Sequence, residues 1–254
     1  MSARASKAHL WFYQDSVDSL RGIFNKLNLV MDGPPAIRFE DPEVLRILTT
    51  GKAYINDNGS NIGLLMPIDE DGDGMIIPEE INNVKSLSNR PDRNNSIFGG
   101  NTVIETFNEF QFFTGLNKIN IGSFAGCTNL REVTLPPNTI LGNSAFSQTS
   151  ISRLIIPEGY QIIGNGMFQR CPKLILVDFP STVTSISDGG SLFWAMKNQV
   201  TVICRALTPP IFGGWGYDGD PKAIYVLDIA VDAYKVATGW SLQSAKIKPI
   251  SEMP

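Results

Sequence analysis

The acidic segment "DEDGDGMIIPEE", residues 69–80, has the residue types and spacing of a cation site. Counted from Asp69, carboxylates stand at positions 1, 3, 5 and 12, and a glycine stands at position 6. In twelve-residue loops of this kind, oxygens at positions 1, 3, 5, 7 and 12 surround Ca²⁺, and the glycine permits a sharp turn. We predict five ligands for a bound Ca²⁺: Asp69, Asp71, Asp73, the backbone carbonyl of Met75, and Glu80.

The segments around this acidic loop predict how it is held. Pro78 suits the first turn of an exit helix, and three apolar residues follow at helical spacing: Ile81, Val84 and Leu87. An upstream helix is predicted to begin at Pro42 with Asp41 as its N-cap. A 17-residue stretch separates that helix from the loop, and no second loop of this EF-hand pattern occurs. A structural site is therefore favoured over a calcium switch, and a degenerate loop without metal is the alternative.

A self-similar unit of about 22 residues organises the middle of the chain. Phe124, Phe146 and Phe168 recur at intervals of 22, and Phe193 follows 25 residues later. Prolines and aliphatic residues keep nearly the same step: Pro136, Pro157 and Pro180, with Leu141, Ile163 and Ile186. In each unit a short alternating apolar run predicts a strand that ends at the proline.

Repeats of 20–29 residues with one strand each are typical of a leucine-rich-repeat solenoid. One unit cannot bury its own phenylalanine and aliphatic side chains, so neighbouring units must stack and cover them. Each such side chain stabilises the stack by roughly 1.5–3 kcal/mol when it is buried. The alternative is a β-rich domain in which the spacing is a coincidence.

The repeat also predicts the state of the cysteines. Cys127 and Cys171 hold the same position in units two steps apart, with Thr149 between them. Two steps of about 4.8 Å place these cysteines roughly 10 Å apart, beyond the reach of a disulfide. We expect buried, unreactive thiols.

The repeats resemble a known family. "FAGCTNLREVTLPPNTILGNSAF" is similar to the BspA-like leucine-rich repeats of surface proteins from gut and oral anaerobes. "IYVLDIAVDAYKVATGWSLQSAKIKPI" resembles the closing segment of such proteins, and "IRFEDPEV" with the acidic loop resembles their opening segment. Two places depart from the family pattern: Leu227 stands where a proline is usual, and Gln148-Thr149 replaces Gly-Cys. The resemblance implies an adhesion or recognition module.

These observations predict an α+β fold: a leucine-rich-repeat solenoid with short stacked parallel strands, an N-terminal helical calcium-loop cap and a C-terminal strand–helix cap. The expected domains are an N-terminal helical anchor at 1–33, the calcium-loop cap at 34–100, the repeats at 101–205 and the C-terminal cap at 206–254. The anchor carries Val17, Leu20, Phe24 and Leu27 on one helical face. It is expected to pack on the repeats or, through residues 10–30, on another copy or an assembly partner.

A glycine-rich loop, "TPPIFGGWGYDGDPK", lies near the C-terminus. Among its glycines, Trp215 and Tyr217 could form a stacking surface for a sugar or a protein ligand. The alternative is that this loop is a surface insertion that binds no ligand.

Composition excludes several classes of function. The net charge of −4 and the pI near 5.1 argue against a nucleic-acid surface, and no stretch is long and apolar enough for a membrane span. The single histidine, His9, lies in the N-terminal tail, so no triad can be assembled, and we expect no enzyme.

The prediction is a non-catalytic recognition or adhesion module with one structural Ca²⁺, binding a protein or glycan on a host or bacterial surface. The alternative is a structural subunit of a phage virion or fibre. The expected location is extracellular, at a cell or virion surface, with no signal peptide visible.

Overall fold

A computed structural model describes residues 36–55, 64–87, 96–116, 118–187, 191–196 and 199–254. The predicted N-terminal anchor at 1–33 lies outside the described residues. Among the described helices, none is long and apolar enough to cross a membrane.

Three short helices and many short strands make up the described chain. The α-helices are α1 (Pro42–Thr50), α2 (Pro78–Asn83) and α3 (Val231–Val236). The strands that precede the repeats are β1 (Lys52–Ile55), β2 (Leu64–Pro67) and β3 (Val84–Ser86). The remaining strands are β4 (Thr106–Phe107), β5 (Lys118–Ile119), β6 (Glu132–Val133), β7 (Ile140–Leu141), β8 (Arg153–Ile155), β9 (Ile162–Ile163), β10 (Leu176–Phe179), β11 (Ser185–Ile186), β12 (Thr201–Cys204), β13 (Ile211–Phe212), β14 (Ala223–Val226) and β15 (Ile247–Pro249). Short 3-10 helices cover Asn108–Phe112, Asp228–Ala230, Ser241–Lys246 and Ile250–Glu252.

The strands after β3 form parallel ladders of the predicted solenoid. One sheet has the order β15-β14-β12-β10-β8, with β4 paired to β6 at the N-terminal side. A second sheet has the order β13-β11-β9-β7-β5. Each repeat gives one strand to each sheet, because the chain makes a full turn between equivalent positions. The predicted leucine-rich-repeat solenoid is confirmed.

A column of aromatic residues fills the interior between the two sheets. Phe98, Phe124 and Phe146 stack with ring centroids 5.3 Å apart at each step. Phe168, Phe193 and Trp215 form a second stacked run in the following rungs, with steps of 5.7 and 6.2 Å. We name each turn of the solenoid, or rung, by its aromatic residue. The first and last members were not identified from the sequence, since Phe98 precedes Phe124 by 26 residues and Trp215 lies in the glycine-rich loop.

The cysteines are free and buried, as predicted. The thiols of Cys127 and Cys171 lie 3.1 and 3.0 Å from the carbonyl oxygens of Phe98 and Phe146, each in the preceding rung. Thr149, which holds the same position between them, donates its hydroxyl to Phe146 O. The position therefore accepts a small side chain with a donor: the two thiols reach a carbonyl of the preceding rung, and the Thr149 hydroxyl reaches one in its own rung.

The exit helix is shorter than predicted. Helix α2 ends at Asn83, and Val84 begins strand β3, which pairs with Ile55 of β1. Ile81, Val84 and Leu87 are all buried, but only Ile81 is buried from a helix. The prediction of one helical face was wrong because strand pairing with β1 replaces the helix at a β-branched residue.

Candidate metal centre

The acidic loop brings three aspartates together. Ligand oxygens of Asp69, Asp71 and Asp73 all lie within 4.8 Å of one another. Asp69 is buried, Asp71 is half-buried and Asp73 is exposed, so the cluster opens to solvent on one side. Carboxylate oxygens grouped in this way suit a hard divalent cation such as Ca²⁺.

Backbone amides fix the direction of each carboxylate. Asp69 accepts from Gly72 N–H at 2.7 Å and from Gly74 N–H at 3.0 Å. Asp71 accepts from Asp73 N–H, and Asp73 accepts from Met75 N–H. Gly72 and Gly74 have φ values of 69° and 81°, which L side chains rarely adopt. The glycines of the motif therefore produce the chain reversal that places three side chains on one centre.

Glu80 closes the loop from the first turn of α2. Its two oxygens accept from Glu70 N–H at 3.0 Å and Ile77 N–H at 2.9 Å, so one side chain joins both ends of the loop. Met75 lies on the exposed side of the loop. The three convergent oxygens come from the aspartates, and Glu80 stands beside them as a fourth predicted ligand.

The cluster raises the pKa of two of its own carboxyl groups. Desolvation is the largest cause for Asp73, and the charges of Asp71 and Asp69 add to it. Desolvation is again the largest cause for Glu80, opposed by its two backbone hydrogen bonds and reinforced by Asp69 and Asp71. The loop therefore concentrates negative charge that a cation would neutralise.

A short segment, 37–41, connects the acidic loop to the first rung of the solenoid. At one end, Ile37 N–H donates to Ile76 O in the loop, at 2.7 Å. At the other end, the N-cap Asp41 accepts from Glu105 N–H at 2.7 Å and from Thr106 N–H at 3.2 Å. We call residues 37–41 the connecting segment. No sequence pattern predicts these contacts, because the partners are 39 to 65 residues apart.

Glu109 adds a third contact to the connecting segment. This carboxylate is buried and its Oε1 accepts from Glu40 N–H at 2.9 Å, while its Oε2 lacks a hydrogen-bond partner among the described residues. No sequence signal marks Glu109, since an isolated glutamate between phenylalanines carries no motif. The position shows that the connecting segment is held by buried polar groups and not only by packing.

Trp215 does not form the exposed stacking surface suggested by the sequence. Its ring is buried, at 4% exposure, and stacks on Phe193. The 22-residue interval from Phe193 to Trp215 was the signal that could have revealed this. Tyr217 is 75% exposed and remains available to a ligand.

The comparisons with known proteins agree with this architecture. Residues 96–203 match the family described as BspA type leucine rich repeat region, in six copies. A search of curated proteins returned no match. Repeats of this type indicate a protein-interaction module, are generally not enzymatic and are typically found in surface-associated proteins. Residues 96–203 of this chain are therefore a BspA-type leucine-rich-repeat region.

Proposed function

We propose that this protein is a non-catalytic recognition or adhesion module, presented at a surface, whose N-terminal side is stabilised by one structural Ca²⁺. The observation that supports recognition is the continuous repeat region, residues 96–203. A solenoid offers its binding partners extended surfaces made of equivalent positions in successive rungs. Binding of a protein or a glycan is therefore the activity that this architecture serves.

The acidic loop supports the calcium part of the proposal. Asp69, Asp71 and Asp73 would supply three oxygens, Glu80 a fourth and the Met75 carbonyl a fifth, with water completing the shell. The carboxylates are already directed by backbone amides, so little loop rearrangement would be needed. The ion would neutralise the mutual repulsion of the cluster.

The connecting segment gives the ion its structural role. Ordering of the loop fixes Ile76, and Ile76 O accepts from Ile37 N–H. The same segment continues to Asp41, which binds the backbone of the first rung. Terminal repeats need a polar cover over their exposed core. We propose that residues 36–55 and 64–87 form this cap and that Ca²⁺ stabilises it.

Calcium removal tests the metal site. Extracellular calcium modules bind at about 10⁻⁴–10⁻³ M, so millimolar Ca²⁺ should stabilise the protein by roughly 1 kcal/mol. We expect EDTA to lower the Tm modestly, Ca²⁺ to restore it, and Mg²⁺ to restore it poorly because it prefers a smaller octahedral site. Calorimetric titration with Ca²⁺ should show one site.

Charge-removing variants give the matched comparison. Asp71→Asn with Asp73→Asn keeps oxygen acceptors for the loop amides but removes two charges, so the EDTA effect on Tm should disappear. Asp232→Asn, an exposed acid in α3, should leave the EDTA effect unchanged. An unchanged Tm in EDTA together with no heat of Ca²⁺ binding would contradict the proposal.

Binding arrays test recognition. The purified protein should bind members of a host-protein or glycan array in a saturable way, and the signal should survive in the double aspartate variant at a temperature where that variant is folded. A folded protein that binds nothing would overturn the recognition role. The assembly-subunit alternative depends on residues 10–30, outside the described residues, and stays a prediction.

A further inference from the structure

The turns that follow the column aromatics form a continuous strip on the surface. The N–H of Arg170 donates to Trp194 O at 3.1 Å, and that of Ala195 donates to Tyr217 O at 2.9 Å. One rung earlier, the N–H of Gln148 donates to Gln169 O at 2.9 Å. Gln169, Trp194 and Tyr217 are therefore equivalent positions in three successive rungs. We call Arg170, Trp194 and Tyr217 the turn strip.

The turn strip places two aromatic residues in adjacent rungs, about 4.8 Å apart along the solenoid. Tyr217 is 75% exposed and Trp194 is half-buried. Trp194 thus differs from Trp215, which is buried in the aromatic column. Trp194 and Tyr217 therefore supply apolar area at the surface, with polar tips that can still bind water or a partner.

Arg170 contacts the ring of Trp194, and no carboxylate of the described residues forms an ion pair with it. Its guanidinium carbon lies 4.4 Å from the centre of the Trp194 ring. By contrast, Arg46, Arg131 and Arg205 form ion pairs with acidic side chains of this chain. A guanidinium that stacks on an aromatic face keeps its N–H edges for an anion, and a carboxylate fits them bidentately.

The composition of the strip favours a protein partner. Tryptophan, tyrosine and arginine are the residues most enriched at the energetic centres of protein–protein interfaces. Small-molecule and sugar sites are typically concave, whereas Arg170 and Tyr217 are exposed. We propose that the turn strip binds a protein segment in which an aspartate or glutamate lies next to an apolar side chain. The inference rests on the proposed recognition function and assigns its surface.

In such a complex, the partner carboxylate would pair with Arg170, and the apolar side chain would pack on Trp194 and Tyr217. The net charge of this chain is −4, so an acidic partner is repelled by the molecule as a whole. A local cation beside two aromatic rings would then decide where the partner binds. Affinity should fall as salt is raised, because the charge pair is partly exposed.

The test uses a random dodecapeptide display library panned on the full-length protein. We expect the enriched peptides to contain aspartate or glutamate beside leucine, isoleucine or phenylalanine. The best peptide is then synthesised with a fluorophore, and its Kd is measured by anisotropy. Replacement of its acidic residue by glutamine or asparagine should weaken binding about tenfold or more.

The repeat supplies variants that the fold already tolerates. Arg170→Gln is matched by Gln148, which holds the same place one rung earlier at φ 59° against 53° for Arg170. Trp194→Gln and Tyr217→Gln are matched by Gln169. Each variant should weaken the peptide about tenfold or more, with unchanged circular dichroism. Arg153→Gln, an exposed arginine of β8, is the control and should bind like the wild type.

Other outcomes would overturn the inference. Enriched peptides without acidic residues would exclude the charge pairing, and equal binding by the three variants would place the site elsewhere. Displacement of the peptide by a uronic-acid oligosaccharide of higher affinity would make the partner a carbohydrate. If array binding of the wild type persists in Arg170→Gln, recognition stands and this site fails. If the wild type binds no array member and no peptide, both fail.

Discussion

Cys127, Thr149 and Cys171 occupy one position in three successive rungs, and they share a small side chain with a donor although the residue type differs. Each is buried, and each has its Sγ or Oγ atom within hydrogen-bonding distance of a phenylalanine carbonyl. The sequence predicted the alignment and the absence of a disulfide, since both follow from the period. The carbonyl partners could not be predicted, because the period does not show which backbone groups lack a strand partner.

Burial of the thiols predicts a loss of stability at alkaline pH. Burial raises the pKa of Cys127 from 9.0 to about 11 and does the same for Cys204. The unfolded chain therefore releases these protons first, so the stabilisation is complete below pH 9 and is lost as pH rises toward 11. Urea unfolding at pH 8, 10 and 11 should show a falling free energy of unfolding.

A matched variant isolates one thiol in that experiment. Cys127→Thr places at this position the residue found at Thr149, so the fold should tolerate it. The decline in stability between pH 9 and 11 should become smaller in the variant. An identical decline would show that other groups, including the buried Tyr160 and Tyr234, whose pKa values burial also raises, account for it.

Gly142 is required by close approach between rungs. A Cβ at this position would lie 2.7 Å from Ile119 O and 2.8 Å from Ile121 N, both backbone atoms of the preceding rung. We expect Gly142→Ala to lower the free energy of unfolding by about 1–3 kcal/mol. In Gly99→Ala the nearest atom lies at 3.3 Å, so its cost in the same urea titration should be smaller. Equal costs would contradict the argument.

At the scale of elements, Asp41 joins a helix to the solenoid. Its Oδ1 accepts from Glu43 N–H as the N-cap of α1, and its Oδ2 accepts from the first rung. The sequence predicted the cap, because Asp-Pro before an amphipathic run is a local signal. The second contact lies 64 residues away and has no local signal.

Removal of the Asp41 side chain should therefore destabilise the protein more than the loss of an ordinary helix N-cap does. Asp41→Ala leaves amides of Glu43 and Glu105 without acceptors, and we expect a loss of about 2–4 kcal/mol in the free energy of unfolding. Asp41→Asn keeps one acceptor oxygen, so its free energy of unfolding should lie between those of Asp41→Ala and the wild type. Glu252→Ala, at an exposed position, serves as the control in chemical denaturation. A loss below 1 kcal/mol for Asp41→Ala would reduce Asp41 to an ordinary cap.

At the scale of the whole molecule, the aromatic column determines cooperativity. Repeat proteins are stabilised mainly by contacts between neighbouring units. Phe146 stacks on Phe124 of the preceding rung, and its N–H donates to Met167 O of the next rung. Phe146→Ala should lower the free energy of unfolding by about 3–5 kcal/mol, and Phe146→Leu should cost less.

Hydrogen exchange can locate that loss. The amides of Phe124 and Gly126 donate to Ala145 and Ser147 across the affected interface, so their protection should fall in Phe146→Ala. The amides of β14 lie several rungs away and should keep more of their protection. Uniform loss of protection in all strands would show that the solenoid unfolds as one unit.

The solenoid could be predicted from the sequence because its cause is periodic: stacked rungs require equivalent side chains at equal intervals. Features without a period were harder to predict. The connecting segment depends on single contacts between distant residues, and Val84 entered a strand because a partner, β1, was available. Trp215 lies at the repeat interval of 22 residues from Phe193, but its glycine neighbours indicated a loop. The interval from Phe193 was more informative than the glycines.

The outer position of β15 affects how separate copies of the molecule meet. An uncovered strand usually invites another chain to pair with it and so begins a fibre. Here the outermost strand contains Lys248 and ends in Pro249, and the chain then turns into a 3-10 helix. Proline cannot donate a ladder hydrogen bond and a lysine is costly to bury. This end of the solenoid is thus a poor template for end-to-end polymerisation.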